Sequence, residues 1–126
     1  MTSIQFRNDD FGSGFSRRSK PNALELISDE IEELNNEDII DYLQSTGATV
    51  ETLSDVINHI EKNLNQPIDN LYALWLTSYE GVVKHYEGNP ENISAYEVPS
   101  NAMIISDLAD EGQLYISTKP FKETEL

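Results

Sequence analysis

The sequence predicts an α+β domain in which three N-terminal helices precede a mostly antiparallel sheet of about four strands with one short helix. Two features of the pattern carry this reading. From Asn22 to Leu64 apolar residues recur at three- and four-residue steps, and beyond Pro67 that period gives way to short apolar and aromatic runs separated by turn residues. The length of 126 residues, with 38% hydrophobic residues, favours one modest core over two.

Residues 1–20 hold Arg7, Arg17, Arg18 and Lys20, half of the eight basic residues, together with Gly12 and Gly14 and few apolar anchors. They read as a flexible basic arm ahead of a single acidic domain, residues 21–118, with 119–126 as a polar tail. Leu24, Ile27, Ile31 and Leu34 share one face of a first helix, bounded by Pro21 and by Asn35-Asn36. A second helix runs from Glu37 to about Ser45, with Asn36 as cap and Gly47 as stop. In the third, Val50, Leu53, Ile57, Ile60 and Leu64 step regularly along one face, Thr49 or Thr52 caps the start and Pro67 lies past the end. Leu71 to Thr77 is a continuous apolar run, as expected of a strand covered on both faces. Glu80 to Glu87 is the short helix, and Gly88-Asn89-Pro90 punctuates it. Three strands follow at Ile93–Val98, Ala102–Leu108 and Gln113–Thr118, the last two joined by a hairpin loop containing Gly112.

Charge narrows the function classes. The 23 acids against eight basic residues give a formal charge of −15, and between Pro21 and Thr118 only Lys62 and Lys84 stand against 19 acids, or −17. Such a surface argues against nucleic acid as a direct partner and against anionic membranes, both of which attract clustered cations. The absence of cysteine excludes disulfides and thiolate chemistry. No apolar run is long enough to span a bilayer and no secretory pattern opens the chain, so a cytoplasmic protein is expected, in the host cytoplasm if a phage encodes it.

The acids themselves are patterned. Glu25, Asp29 and Glu32 form one row at helical spacing, Glu30, Glu33 and Glu37 a second, and Asp38 and Asp41 extend the set. Neighbours three or four apart stand about 5–6 Å from each other on a helix, and like charges there cost roughly 0.2–0.5 kcal/mol per pair. No lysine or arginine occurs between Pro21 and Lys62 to offset this. A duplex displays one negative charge per strand about every 3.4 Å of axis, which a rigid carboxylate row imitates. A solvated acidic face is the plainer explanation of the same residues. The composition resembles that of acidic phage-type DNA-mimic inhibitors, which implies a non-enzymatic antirestriction or anti-CRISPR protein bound to a basic nucleic-acid-binding protein or nuclease. Asp29, Glu30, Glu32, Glu33, Glu37, Asp38 and Asp41 are then the partner-binding residues. An immunity protein for a basic nuclease toxin is an alternative with the same physics.

No catalytic residue, metal site or cofactor is expected. Asp107, Asp110, Glu111 and Gly112 lack the spacing of a calcium loop and read as a charged turn. His59 lies at the edge of the third helix's apolar face, where a structural role is expected, and His85 sits beside Lys84. Tyr72, Trp75, Tyr79 and Tyr86 cluster in sequence, as core packing or as an aromatic pocket.

The strand Leu74-Trp-Leu-Thr77, the helix Glu80 to Tyr86, Ala95-Tyr-Glu-Val-Pro99 and Ile104-Ile-Ser-Asp-Leu108 follow one another in an order that resembles a segment of small ADP-ribosyltransferase-like domains. The resemblance covers residues 71–118. In that family the segment lies beside an NAD pocket, which implies an ADP-ribosyltransferase-like protein, active or degenerate. The family's His-x-Thr or Arg strand and Gln/Glu-x-Glu element have no counterpart placed here, so no catalytic residue is carried over.

Overall fold

The computed structural model describes residues 3–8, 21–29, 31, 38–78, 93–109 and 112–124. In chain order these form β1 (Ser3–Asn8), α1 (Ala23–Ser28), α2 (Asp38–Ser45), α3 (Leu53–Leu64), a 3-10 turn (Ile68–Asn70), β2 (Tyr72–Leu76), β3 (Ile93–Val98), β4 (Met103–Asp107), β5 (Gln113–Ser117) and β6 (Lys122–Thr124). The expected architecture is corrected in three respects. The chain enters through a strand, so the helices occupy its middle and not its N-terminus. The described strands number six, in two antiparallel three-stranded sheets ordered β1-β3-β6 and β2-β5-β4, where about four in one sheet were expected. Only α2 and α3, at eight and 12 residues, exceed two turns; α1 has six. The expected helix at Glu80–Glu87 lies outside the described residues.

Local chemistry accounts for both unexpected strands. β1 alternates Ile4 and Phe6 with Gln5 and Arg7, a two-residue period that the Gly- and Arg-rich residues after it obscure, and pairs along its whole length with β3. β6 is three polar residues with no apolar period. It is held by backbone pairing to β3 and by the preceding Phe121, which is buried.

Two hydrophobic clusters sandwich the β2-β5-β4 sheet. On one face Ala73, Leu114, Ile116 and Ile105 pack with Ile27 of α1, Ile39 and Leu43 of α2, and Val56 and Ile60 of α3. On the other, Leu74 and Leu76 pack with Tyr96 and Val98 of β3 and with Phe121. β2 is therefore covered on both faces, which is why its sequence is apolar without alternation. In β4 the register shifts between Ile104 and Ser106, and both Ile105 and Ser106 are fully buried beside α2.

The outer edge of β2 is closed in three different ways. Asn22 stands at the start of α1, where the usual use of its side chain is to cap the helix, yet it makes no cap hydrogen bond. Its Nδ2 donates to the Ala73 carbonyl (3.0 Å) and its Oδ1 accepts from the Ala73 N–H (2.8 Å), so one buried carboxamide replaces a neighbouring strand. Two residues on, Arg7 donates to the Trp75 carbonyl (3.4 Å). Two further, Thr77 and Phe6 exchange both backbone hydrogen bonds at 2.8 Å, which joins β1 to the end of β2 and links the sheets. On this edge both backbone groups of Ala73 and of Thr77, and the carbonyl of Trp75, are thus paired without a full ladder.

α3 has the most complete start of any described helix. Thr52 Oγ1 accepts from the Asp55 N–H (3.2 Å), while Asp55 Oδ2 accepts from the N–H groups of Thr52 (3.2 Å) and Glu51 (3.0 Å). These backbone bonds, first from Glu51 and then from Thr52, hold the Asp55 carboxyl below its ordinary range. A lowered folded value means that the box contributes fully at neutral pH and that its contribution is lost as pH falls through that value. The difference in urea midpoint between wild type and Asp55→Ala is accordingly expected to be largest at neutral pH and to close under acid conditions. A difference that stays constant across that range would contradict the box. At the far end of the helix, Glu61 accepts from the Ile68 N–H (2.7 Å) and so fixes the 3-10 turn that feeds β2.

Candidate functional site

α2 carries the described part of the acidic set most openly. Ile39 and Leu43, four apart, are buried toward β4, and this turns Asp38 and Asp41 outward, both exposed and three residues apart. Both lie in the first turn, where a negative charge meets the partial positive charge of the helix start, so part of the acidic pattern has a structural origin. Asp29 differs. It is half-buried at the C-cap of α1, where the backbone keeps helical dihedrals and passes into a π turn, and neither α1 nor α2 has a basic residue in its last turn. Glu25, also exposed, stands four residues before it. Glu30, Glu32, Glu33 and Glu37 lie outside the described residues, so the structure brings together Asp38 and Asp41 on α2 and places Asp29 on a separate helix.

The surroundings of Tyr42 and Tyr115 were not evident in the sequence pattern. Tyr42, half-buried, shares a side of α2 with Asp38. Tyr115 of β5 has its phenol pushed up, first by burial, then by the negative charge of Asp107, then by Tyr42. Asp107 is exposed at the end of β4 and fixed in place, because its carboxylate accepts from the Ala109 N–H (3.0 Å) and from Gln113 Nε2 (2.9 Å). Tyr115 packs against the second cluster, and Asp107, across from Gln113, stands on the same face of the sheet, whereas Tyr42 packs with α2 against the first cluster on the other face. None of α2, β4 and β5 contains lysine, arginine or histidine. The exposed Asp38 and Asp41 of α2 offer carboxylates to ammonium and guanidinium groups, and Tyr42 beside Asp38 offers a ring face to the same cations.

The other candidates take structural places. His59 is half-buried on α3, and Asn63, one turn on, donates to its carbonyl (2.7 Å). Tyr72 packs against the second cluster and Trp75 against the first, so these two rings face opposite sides of β2 and line no common pocket. Tyr79, Tyr86 and His85 lie outside the described residues. Asp110 and Glu111 lie outside the described residues; on either side of them Leu108 N–H donates to the Gly112 carbonyl (2.8 Å) and Gly112 N–H to the Ala109 carbonyl (3.1 Å), which joins β4 to β5. Among the described residues no three His, Asp or Glu side chains converge as metal ligands, and no described helix is long and apolar enough to cross a membrane.

Comparison with protein-family models, with curated proteins and with solved structures finds no match to this chain.

Proposed function

We propose that the protein is a non-enzymatic acidic binding protein that occupies the positively charged nucleic-acid site of a nucleic-acid-handling enzyme. The observation that carries this reading is the outward display of Asp38 and Asp41 on α2, on a helix without a single cation and within a segment of formal charge −17. Asp29 adds a further acid on α1, half-buried where the helix passes into a π turn. Glu30, Glu32, Glu33 and Glu37 continue the same rows in sequence. A field of this sign steers a basic cleft toward the face, and Tyr42, beside Asp38, adds ring surface for its arginines or lysines.

The test compares two double charge reversals of equal net effect. Asp38→Lys with Asp41→Lys, and Glu51→Lys with Asp69→Lys, each raise the formal charge from −15 to −11. Each protein serves as bait in a lysate of the source or host cells, with circular dichroism confirming the fold. The α2 pair is expected to lose the nucleic-acid enzyme that wild type retains, and the control pair to keep it. Equal retention by both would remove α2 from the interface.

A further inference from the structure

One concave surface runs against the charge of the rest of the chain. β3 ends at Val98 and enters a turn closed by Ala102 N–H to the Pro99 carbonyl (3.0 Å). Facing it, β5 ends at Ser117 and the chain passes through Thr118–Phe121 into β6. Asn101 Nδ2 donates to Thr118 Oγ1 across the two segments (2.8 Å), and within the second the fully buried Ser117 accepts from the Lys119 N–H (3.0 Å). Between them lies a half-open groove of about 480 Å³, with Lys119 and Lys122 on one wall, Ser100 and Asn101 on the other, and Pro99 and Pro120 stiffening both. That volume falls in the range of small-molecule sites, roughly 300–1,000 Å³.

The charge balance in the groove is inverted. Arg7, Lys62, Lys119 and Lys122 are the described basic residues, and two of them line it; of the described acids only Glu97 does. Arg7 is occupied with the Trp75 carbonyl on another edge of the fold. At physiological ionic strength charges beyond about 8 Å are largely screened, so the groove's own residues set its local sign. Its hydroxyl and carboxamide are hydrogen-bonding groups suited to oxygen, and its walls are held before any ligand arrives. We propose that this groove binds a small polyvalent oxyanion, of phosphate or carboxylate type, through Lys119 and Lys122. Glu97 pairs directly across the strands with Lys122, so both side chains stand on the same sheet face, and its negative charge limits the affinity. The site is separate from the acidic face of α2 and stands or falls independently of it.

The full chain is titrated with pyrophosphate and, in a second arm, with citrate, at matched ionic strength, while backbone amides are followed by NMR. Saturable shifts are expected at Ser100, Asn101 and Lys119. Saturation by pyrophosphate alone or by citrate alone supports the site and identifies the source of the oxyanion. Lys119→Ala with Lys122→Ala, both exposed positions, should weaken binding at least about tenfold, since each removes a charge-assisted contact. Glu97→Gln should strengthen it, whereas Glu123→Gln, which changes net charge equally but lies on the opposite sheet face, should not. Shifts that fail to saturate with either anion, or that persist unchanged in the double alanine variant, would overturn the proposal.

Discussion

Replacing Asn22 with leucine is expected to destabilise the fold by on the order of 2–5 kcal/mol, a large part of the roughly 5–15 kcal/mol that holds a typical small domain together. The carboxamide satisfies both the N–H and the carbonyl of Ala73 in a buried setting, and leucine leaves both without a partner. Loss of helix capping does not contribute, because the Asn22 side chain makes no cap bond. Asn22→Asp separates geometry from volume. An ionised carboxylate still accepts from the Ala73 N–H but opposes the Ala73 carbonyl, so it favours the protonated form, and its folded pKa is raised. Stability of that variant should therefore recover as pH is lowered, the reverse of the trend set by Asp55. Urea unfolding of the three proteins at neutral and acid pH measures both effects. A leucine variant within about 0.5 kcal/mol of wild type, the range of ordinary surface changes, would show that the edge of β2 does not depend on this residue.

Gly112→Ala is expected to cost about 1–3 kcal/mol, the range for backbone held where an L side chain is disfavoured. Gly112 has φ +131°, and a Cβ there would stand 3.2 Å from the Leu76 carbonyl oxygen, which is backbone and cannot swing away. Gly47 is the internal control. Its φ is +98°, but nothing lies within 4 Å of an added Cβ, so alanine there meets conformational strain alone. The loss at Gly112 should therefore exceed that at Gly47, read as a difference in urea midpoints at unchanged slope. Equal losses would mean that the β4–β5 hairpin yields to the added methyl and that the contact with β2 is not tight.

What could be read in advance divides along physical lines. α2 and α3 lie where their spacing places them, and in α3 cap, stripe and stop agree, as in Thr52, Ile60 and Pro67. Even there the stripe was off centre: Val56 is fully buried, while Leu53, Ile57 and Leu64 are half-buried around it. Leu24, expected inward, is exposed, and Ala23 is buried in its place, since α1 is too short for a stripe to fix its rotation. β1 and β6 were misread because each takes its stability from β3, a partner far away in sequence, and strand propensity depends on such partners. The outward placement of Asp38 and Asp41 was legible because helix periodicity alone sets it. The influence of Asp107 on Tyr115 was not, since β4 and β5 must first pair across the hairpin. Asn22 was readable only as a helix start; nothing local signals that its carboxamide reaches 51 residues along the chain to Ala73.

The central claim concerns charge, and competition tests it most directly. The purified wild-type protein is used as bait in lysate of its source or host, and the retained material is eluted in parallel with rising salt and with duplex DNA. Mimicry predicts a nucleic-acid enzyme released by both, since screening weakens the charge contacts and the duplex claims the same basic cleft. A retained partner that resists duplex DNA and does not handle nucleic acid would contradict it, and would leave the carboxylates of α2 as a solvated surface.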